Sequence, residues 1–405
     1  MTSPRVIVIA DDLTGAADAG APFATAGFAT VVPLRSTPSG AEVISLSNGT
    51  RDASADRIEG RFEQSMTLLP PTDTSTLWYA KVDSVFRGYP GPQIAFLLRH
   101  TGRRAVIVAA ALPDQSRMTV DGNVYAHDEL LTQTALGVGR STASVVELLG
   151  LPEELGRTIG LETVRAGAEK VRSAIAHMIR PIVVVDAETN NDLAILAEAV
   201  IDDSAHLLAG SAGFSKQIAL KLGDRDGKSP TTGLDQPVKT VLTVAGSRHA
   251  SSAGQVAELE RSGVETVRLN FERGHLDPSV TERAIERMTS AFDEQRSLTL
   301  TTSDTPNSWL PGDEIAQALA ALATDLRIRD RYDAMILTGG DVAGAVCARL
   351  EADAIWLRGE VLPAIPWGTF AGGKRPGLPI ITKAGSFGSD RTMVESVAFL
   401  CQTTN

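Results

Sequence analysis

The chain has only two cysteines in 405 residues, Cys347 and Cys401, with no Cys-x-x-Cys pair and no Cys/His cluster. That argues against a disulfide scaffold and against a structural zinc site. Basic charge is not in excess either: 38 Lys and Arg stand against 49 Asp and Glu, for a formal net charge of -11. Nucleic acid and anionic membrane surfaces demand a basic face, so neither is expected as the main partner. A small anionic ligand stays compatible, because a local cluster of Arg and Lys overrides the global sign. No apolar run reaches about 18 residues, and the N-terminus enters a strand pattern without a charged and then apolar leader. No membrane partner is expected, and the protein is expected to be cytoplasmic. Two nucleotide fingerprints are also missing. No Gly-x-Gly-x-x-Gly follows a strand pattern. GTFAGGK (368–374) matches the first part of a P-loop, but Arg375 stands where Ser or Thr is required. Pro366 and Trp367 precede it where a strand should be, and Pro376-Gly377 breaks the helix that should follow.

What the sequence does have is alternation. A hydrophobic fraction of 43% and a charged fraction of 21% are ordinary for a globular chain, and 405 residues at roughly 150 per domain predict two or three domains. Apolar, β-branched runs recur at 5–10 (RVIVIA), 30–34, 42–47, 77–83, 105–110 and 181–187. Between them, segments such as DRIEGRFEQSMTLL and AGAEKVRSAIAHMI repeat apolar residues at three and four. Strand runs separated by helix patterns predict a mostly parallel sheet covered on both faces. The pattern stops over 223–239, which is rich in Gly, Asp, Pro and Thr. It restarts with VLTVAGS, TVRLN, SLTLTTS, AMILTGG, AIWLRGEVL and LPIITKAGSFG as strands and DEIAQALAALATDLRI as an amphipathic helix. The expected architecture is α/β: two three-layer domains with mostly parallel sheets, 1–222 and 240–405, joined by a linker at 223–239. The active site is expected in the cleft between them.

Polar chemistry gathers where the strand runs end. The first run closes on IADDLTGAADAG (9–20): two adjacent carboxylates, Asp11 and Asp12, then Thr-Gly, then a third acid, Asp18. Residues just past the C-terminal end of a parallel strand lie where open α/β sheets bind ligands. A helix cap by Asp12 or Thr14 explains one of these polar residues and leaves the others unexplained. KVDSVFRG (81–88) follows the fourth run with Lys81, Asp83, Ser84 and Arg87. Lys and Arg there suit a carboxylate, Arg through its bidentate fork; a surface Lys/Arg pair with Asp83 as a helix cap is the other reading. SNGTRD adds Asn48, Thr50 and Arg51, and PDQSRMTVDGNVY (113–125) adds Arg117, Asp121, Gly122 and Asn123. In the second half three runs end in glycine beside a small hydroxyl or an acid: Gly246-Ser247, Gly339-Gly340-Asp341, and Gly385-Ser386 with Gly388 and Asp390. Glycines let backbone N–H groups approach a phosphate, and a following helix N-terminus adds about half a positive charge. Turn chemistry alone explains any one such loop; three on one sheet edge would form a phosphate cradle.

Taken in order from residue 10 to about 390, ADDLTGAAD, KVDSVFRG, GSAGF (210–214), GGDVAGAV and ITKAGSFG resemble the motifs of the four-carbon acid sugar kinases. The resemblance implies an ATP-dependent enzyme that phosphorylates a hydroxyl, by expectation the terminal one, of a short sugar acid such as a tetronate or 3-oxo-tetronate. It places the acid on the N-terminal domain and ATP on the C-terminal one. By motif it assigns Asp11, Asp12, Lys81, Asp83, Ser84 and Arg87 to the acid-sugar site, with Arg51 and Arg117 as further substrate contacts. Asp12 is the expected base, and Asp11 its neighbour on a substrate hydroxyl or on Mg2+, although the motif leaves the division between them open. Lys81 and Arg87 would face the substrate carboxylate or the phosphoryl charge. Ser247, Gly339, Gly340, Asp341, Gly385, Ser386 and Gly388 fall to ATP. Mg2+ is expected with it, since paired carboxylates suit that ion, and no ligand set is assigned. Several positions depart from the family pattern. Val85, Phe86 and Tyr89 replace a Thr-Leu pair and an Asn, Ser116 replaces a Gly before Arg117, and ALGVGRST replaces a stretch with an Asp-Pro pair. His249 and Ser252 stand for a serine and a threonine. The substituted substrate side keeps a second expectation alive, a non-catalytic sugar-acid or nucleotide sensor on the same fold. A dehydrogenase is disfavoured by the missing dinucleotide fingerprint. The expected partners are a sugar acid and ATP, and a homo-oligomer is compatible with the sequence.

Overall fold

Val6–Ala10 is a strand whose every residue is buried. A strand apolar on both faces needs cover on both sides, and this one pairs in parallel with a neighbour on each edge. The computed structural model describes residues 3–228, 234, 236–247, 249–271, 277–302 and 312–402. The chain divides into two compact units, 1–33 with 39–230, and 34–38 with 231–405.

In chain order the first unit carries β1 (Val6–Ala10), β2 (Thr30–Pro33), β3 (Val43–Ser47), β4 (Leu77–Lys81), β5 (Ala105–Ala109), β6 (Arg117–Val120), β7 (Asn123–Ala126), β8 (Glu129–Leu130), β9 (Gly156–Ile159), β10 (Ile182–Val185) and β11 (His206–Gly210). Its parallel sheet is ordered β2-β3-β1-β4-β11-β5-β10-β9, and β6, β7 and β8 form a separate antiparallel sheet. The period of two along β1 sorts its side chains between two helix layers. Val6 and Val8 pack with Phe23, Leu196 and Phe214 from the helices Leu13–Thr25, Asn190–Val200 and Ala212–Asp226. Ile7 and Ile9 pack on the other face with Leu97 from the helix Pro90–Thr101 and with Val146.

The second unit carries β12 (Val241–Ala245), β13 (Glu265–Leu269), β14 (Leu298–Thr302), β15 (Ala334–Thr338), β16 (Ala354–Leu362), β17 (Ile365–Ala371) and β18 (Pro379–Lys383), ordered β13-β14-β12-β15-β18-β17-β16. Its pairs are parallel apart from β16 with β17 and β17 with β18. Both units are thus α/β with mostly parallel sheets, as the alternation predicts. Both cysteines are free. No helix among the described residues is long and apolar enough to cross a membrane.

Several elements differ from the sequence expectation. The helix Ala212–Asp226 runs through the first four positions of the expected 223–239 linker and ends on left-handed Gly227 at φ 65°. Near the linker's other end, the Val238 N–H donates to Leu400 O at 3.0 Å, which ties it to the second unit. Residues 229–233 and 235 of that segment lie outside the described residues. GTFA (368–371) closes the strand β17, so Pro366 and Trp367 lie inside a strand and only Gly372, Gly373 and Lys374 of GTFAGGK follow it. Pro366 is tolerated there because it faces Glu360 next to an irregularity in the β16 register. The short strand β11 ends on Gly210, where a Cβ would lie 2.2 Å from Ala109 O. Its glycine reflects close backbone packing, so it carries no strong apolar pattern.

Candidate active site

The chain leaves β1 for β2 on one side and then crosses from β3 to β4 on the other, so the ends of β1 and β4 flank the switch point of the first sheet. Loops diverge from such a point and open a crevice beyond the C-terminal strand ends. Asp11 and Asp12 follow β1, and KVDSVFRG begins on the last residue of β4, so adjacent strands deliver the two motifs side by side.

Asp12 caps the helix Leu13–Thr25: its Oδ1 accepts from the Gly15 N–H at 2.6 Å and its Oδ2 from the Thr14 hydroxyl at 2.9 Å. Arg51, in the loop after β3, grips both acids. Its Nε and Nη2 donate to Asp11 Oδ2 and Oδ1 at 3.0 and 2.6 Å, and its Nη1 donates to Asp12 Oδ2. Adjacent carboxylates repel unless a cation stands between them, and the planar fork of a guanidinium meets both. Burial raises the Asp11 carboxyl above its ordinary value against the pull of Arg51, with Asp12 adding to the rise. Burial disfavours the Arg51 charge, but the two aspartates more than offset it and hold the guanidinium protonated. Capping and site are therefore not alternatives: the cap orients Asp12, and Arg51 orients the pair. Arg51 is placed as a brace on the aspartates and not as a free substrate contact. Asp11 and Asp12 are both engaged by Arg51 in this arrangement.

Asp83 also turns inward. Its Oδ1 accepts from the Val85 and Arg87 N–H groups at 3.0 and 3.4 Å, and its Oδ2 from Arg87 Nε and Nη2 at 3.1 and 2.6 Å. Burial alone would raise this carboxyl; the Arg87 charge and hydrogen bonds, with Arg51 and Lys81 nearby, hold it well below the usual carboxylate range. So Asp83 shapes the loop and fixes the half-exposed Arg87. Lys81 differs. It is buried, its ammonium group makes no hydrogen bond or ion pair with a described residue, and its charge acts on both Asp11 and Asp83. The buried Ser84 hydroxyl likewise has no hydrogen bond among the described residues. Arg117, at the start of β6, is buried with its Nη1 donating to Gln115 O and its Nε without a partner.

Sequence reasoning missed the residues that hold this frame. Gln93 Nε2 donates to Ile9 O at 3.1 Å and Lys81 O at 3.0 Å, while its Oε1 accepts from Asn48 Nδ2 at 3.1 Å. One buried amide thus ties the ends of β1, β3 and β4, and a lone Gln among the buried residues of the helix Pro90–Thr101 is the signal that finds it. Asp186, just past β10, accepts from the Asp121 and Gly122 N–H groups at 2.7 and 3.0 Å and so pins the turn of the hairpin that begins at Arg117. Burial raises its carboxyl from 3.8 to about 6. Between those values the folded chain binds more protons at this site than the unfolded chain, so stability from it falls as pH rises through that window. Relative to Asp186→Asn, wild-type Tm is expected to decline from about pH 4 to about pH 6 and to level off above. A pH-independent difference in calorimetry contradicts this.

In the second unit the chain runs from β12 out to β13 and later passes from β14 across β12 to β15, so β12 and β15 flank a second switch point. The three glycine loops meet there. A Cβ on Gly385 would lie 2.0 Å from Ser247 Oγ, and one on Gly339 would lie 3.9 Å from Ser247 Cβ. Ser252 Oγ donates to Gly385 O at 2.9 Å, binding the first loop to the third. Gly339, at φ 98°, starts the helix Gly340–Arg349 with no side-chain cap. Its first turn, with exposed Asp341, therefore presents N–H groups that fit a nucleotide phosphate. Ser386 is half-buried in the third loop. Gly388, at φ 84°, serves the turn itself, since a Cβ there would meet Thr392 Oγ1 at 2.2 Å. His249 takes over a capping role, its Nδ1 accepting from the Ser251 N–H at 3.2 Å. Buried Lys383 was missed: its Nζ donates to the carbonyls of Ala384, Gly385 and Phe387 at 2.8, 3.4 and 3.1 Å, and burial lowers it to about 8. Gly385→Ala is expected to push Ser247 away and raise the KM for nucleotide by about tenfold, leaving the KM of the other substrate unchanged. Steady-state kinetics with each substrate varied checks this, and an equal rise in both contradicts it.

Residues 6–218 match the family model of a sugar-binding N-terminal domain and residues 242–393 that of a nucleotide-binding C-terminal domain. The two switch-point sites fall one in each match. The chain belongs to the four-carbon acid sugar kinase family. A D-threonate kinase of Salmonella typhimurium LT2 is 30% identical, covering 98% of this chain and 98% of its own. A D-erythronate kinase of Heliobacterium modesticaldum is 27% identical, covering 98% and 97%. A Salmonella typhimurium LT2 protein of known crystal structure, provisionally labelled a tRNA synthase, matches at TM-score 0.79 and 20% identity over 96% of this chain and 98% of that one. At that identity the likeness shows the fold alone.

Proposed function

We propose that the chain is an ATP-dependent kinase that moves the γ-phosphoryl group of ATP to a hydroxyl, the terminal one, of a four-carbon sugar acid, and that it acts in the cytoplasm. The observation that carries this reading is the pair of buried cations that make no ion pair among the described residues, Lys81 and Arg117, in the unit whose aspartate pair is braced by Arg51. Asp83, already bonded to Arg87, acts on both only at a distance, and a buried charge so incompletely matched calls for an opposite charge from a ligand. A sugar acid supplies its carboxylate, and the transferring phosphoryl group supplies more negative charge. The D-threonate and D-erythronate kinases among the relatives support the four-carbon acid class.

Phosphoryl transfer needs an in-line hydroxyl, a positioned base and neutralised charge more than covalent help. Lys81 and Arg117 hold the acid's carboxylate, and Ser84 meets one of its hydroxyls. Arg87, held on one side by Asp83, offsets phosphoryl charge. Asp12 is the more exposed of the braced acids, at 16% against 8% for Asp11. It takes the proton of the attacking hydroxyl, while Asp11 anchors Arg51. The Gly339-Gly340-Asp341 turn, with Ser247, Gly385 and Ser386, holds the nucleotide. Mg2+ is carried by the phosphates of ATP and not by the aspartate pair. The relatives named as kinases lend no support to a sensor without turnover.

A coupled ADP-release assay with MgATP across tetronates, 3-oxo-tetronates, pentonates and simple 2-hydroxy acids tests the proposal. Release that depends on a four-carbon acid is expected. No release with any acid, from a chain that binds ATP, overturns it.

A further inference from the structure

At the other edge of the first sheet, where β5, β10 and β11 begin, a cavity of about 540 Å3 opens. Arg103, Arg104, Arg180 and His206 line it. None of the three arginines is in an ion pair among the described residues, although the chain carries a net charge of -11. Exposed arginines without an ion pair among the described residues occur elsewhere, Arg157 and Arg358 for example, but these three line one cavity. The acid that acts on Arg103 is engaged elsewhere. Asp203 accepts from the Ala205 and His206 N–H groups at 2.8 and 3.0 Å and faces His206 Nδ1 at 2.7 Å. Arg103 itself is held in place, its Nε donating to Ser204 O and its Nη2 to Thr76 O, both at 3.1 Å. Burial disfavours its charge against the pull of Asp203. The cavity therefore holds a fixed, half-buried guanidinium with one N–H edge unbonded and two exposed guanidinium groups beside it.

The remaining wall mixes Thr101 and Ser204 with apolar Met178, Ile179 and Pro181. Met178 is half-buried, and Ile179 is 93% exposed on the same rim. One fixed guanidinium with two more beside it, next to apolar side chains, is the chemistry of a site for an organic anion, and guanidinium groups favour phosphate through their paired donors. The volume lies in the range of about 300–1,000 Å3 for small-molecule sites and exceeds what a single phosphate ion fills. The five-residue strand β5, at about 3.3 Å per residue, puts about 17 Å between this edge and the edge that carries Lys81.

We infer that this cavity is a second ligand site, which takes a small phosphate-bearing organic molecule with its phosphate on Arg103, Arg104 and Arg180 and its carbon part against Met178 and Ile179. The inference does not depend on the kinase reading. Isothermal titration of the full chain with glycerol 3-phosphate tests it, beside the double variant Arg104→Gln/Arg180→Gln and the separate variant Lys81→Met. Wild type and Lys81→Met are expected to bind alike. The double variant, changed only at exposed positions, is expected to bind at least about tenfold more weakly and to keep its ADP release in the absence of the probe. Inorganic phosphate is expected to bind more weakly than the ester. The inference is overturned by binding that the double variant leaves intact, by loss of binding in Lys81→Met, by equal affinity for inorganic phosphate, or by no heat in wild type.

Discussion

Arg51→Ala is expected to abolish turnover and to destabilise the first unit by about 3–5 kcal/mol, the range for removing one partner of a buried charge pair. The magnitude follows from placement. The side chains of Arg51, Asp11 and Asp12 are 14%, 8% and 16% exposed, so water does not screen the two carboxylates once the guanidinium is gone. Relief comes through protonation. Without Arg51, Asp11 loses the charge that opposes its burial and the repulsion of Asp12, and its carboxyl, already raised in the wild type, rises further. The variant then binds more protons folded than unfolded, so its stability falls as pH rises, and its deficit against wild type is expected to widen from about pH 4 to about pH 7. Calorimetry across that range reads the effect. Arg99→Ala, which breaks only the exposed pair with Glu59, serves as a control expected to change little. An Arg51 variant as mild as the control would remove the brace from the account.

The second large effect separates cap from base at a single position. Asp12 caps the first helix through Gly15 and Thr14, and Asn caps about as well as Asp. Asp12→Asn therefore keeps the Gly15 cap while removing a proton acceptor and one of the two charges that Arg51 meets, and kcat is expected to fall by about 10²–10⁴ with a smaller loss of Tm than Arg51→Ala shows. Asp12→Ala loses the cap as well, at about 1 kcal/mol of further stability. Comparing kcat and Tm for the two variants separates the roles. If Asp12→Asn keeps kcat near wild type, the base is not Asp12, and the Asp11 carboxyl, raised by burial, is next to test.

How much of this was legible depends on whether the cause is local in sequence. Val6–Ala10 reads as a doubly covered strand because burial on both faces leaves no polar alternation, and the structure packs its odd and even residues into separate cores. The glycine loops are legible for the same reason, as strand-end punctuation, and Ser247 joins two of them. The role of Arg51 is not legible locally: it depends on β3 lying beside β1, a pairing across about forty residues. Asp83 misleads because a carboxylate between a lysine and an arginine suggests a ligand site, while its oxygens serve the Val85 and Arg87 N–H groups and the Arg87 guanidinium. Gln93 and Lys383 were overlooked for a shared reason. Each is a polar residue in an apolar element whose partners are carbonyls, and carbonyls leave no mark in a sequence.

The most direct test follows the phosphoryl group itself. The chain is incubated with ATP labelled at the γ-phosphoryl group and with a tetronate panel, and the label is traced by separating acid, phosphate and nucleotide. The expected result is label in the acid at one ADP formed per acid phosphorylated, with Asp12→Asn giving almost none. Label that appears only in inorganic phosphate, at the same rate with and without acid, would contradict phosphoryl transfer to a sugar acid.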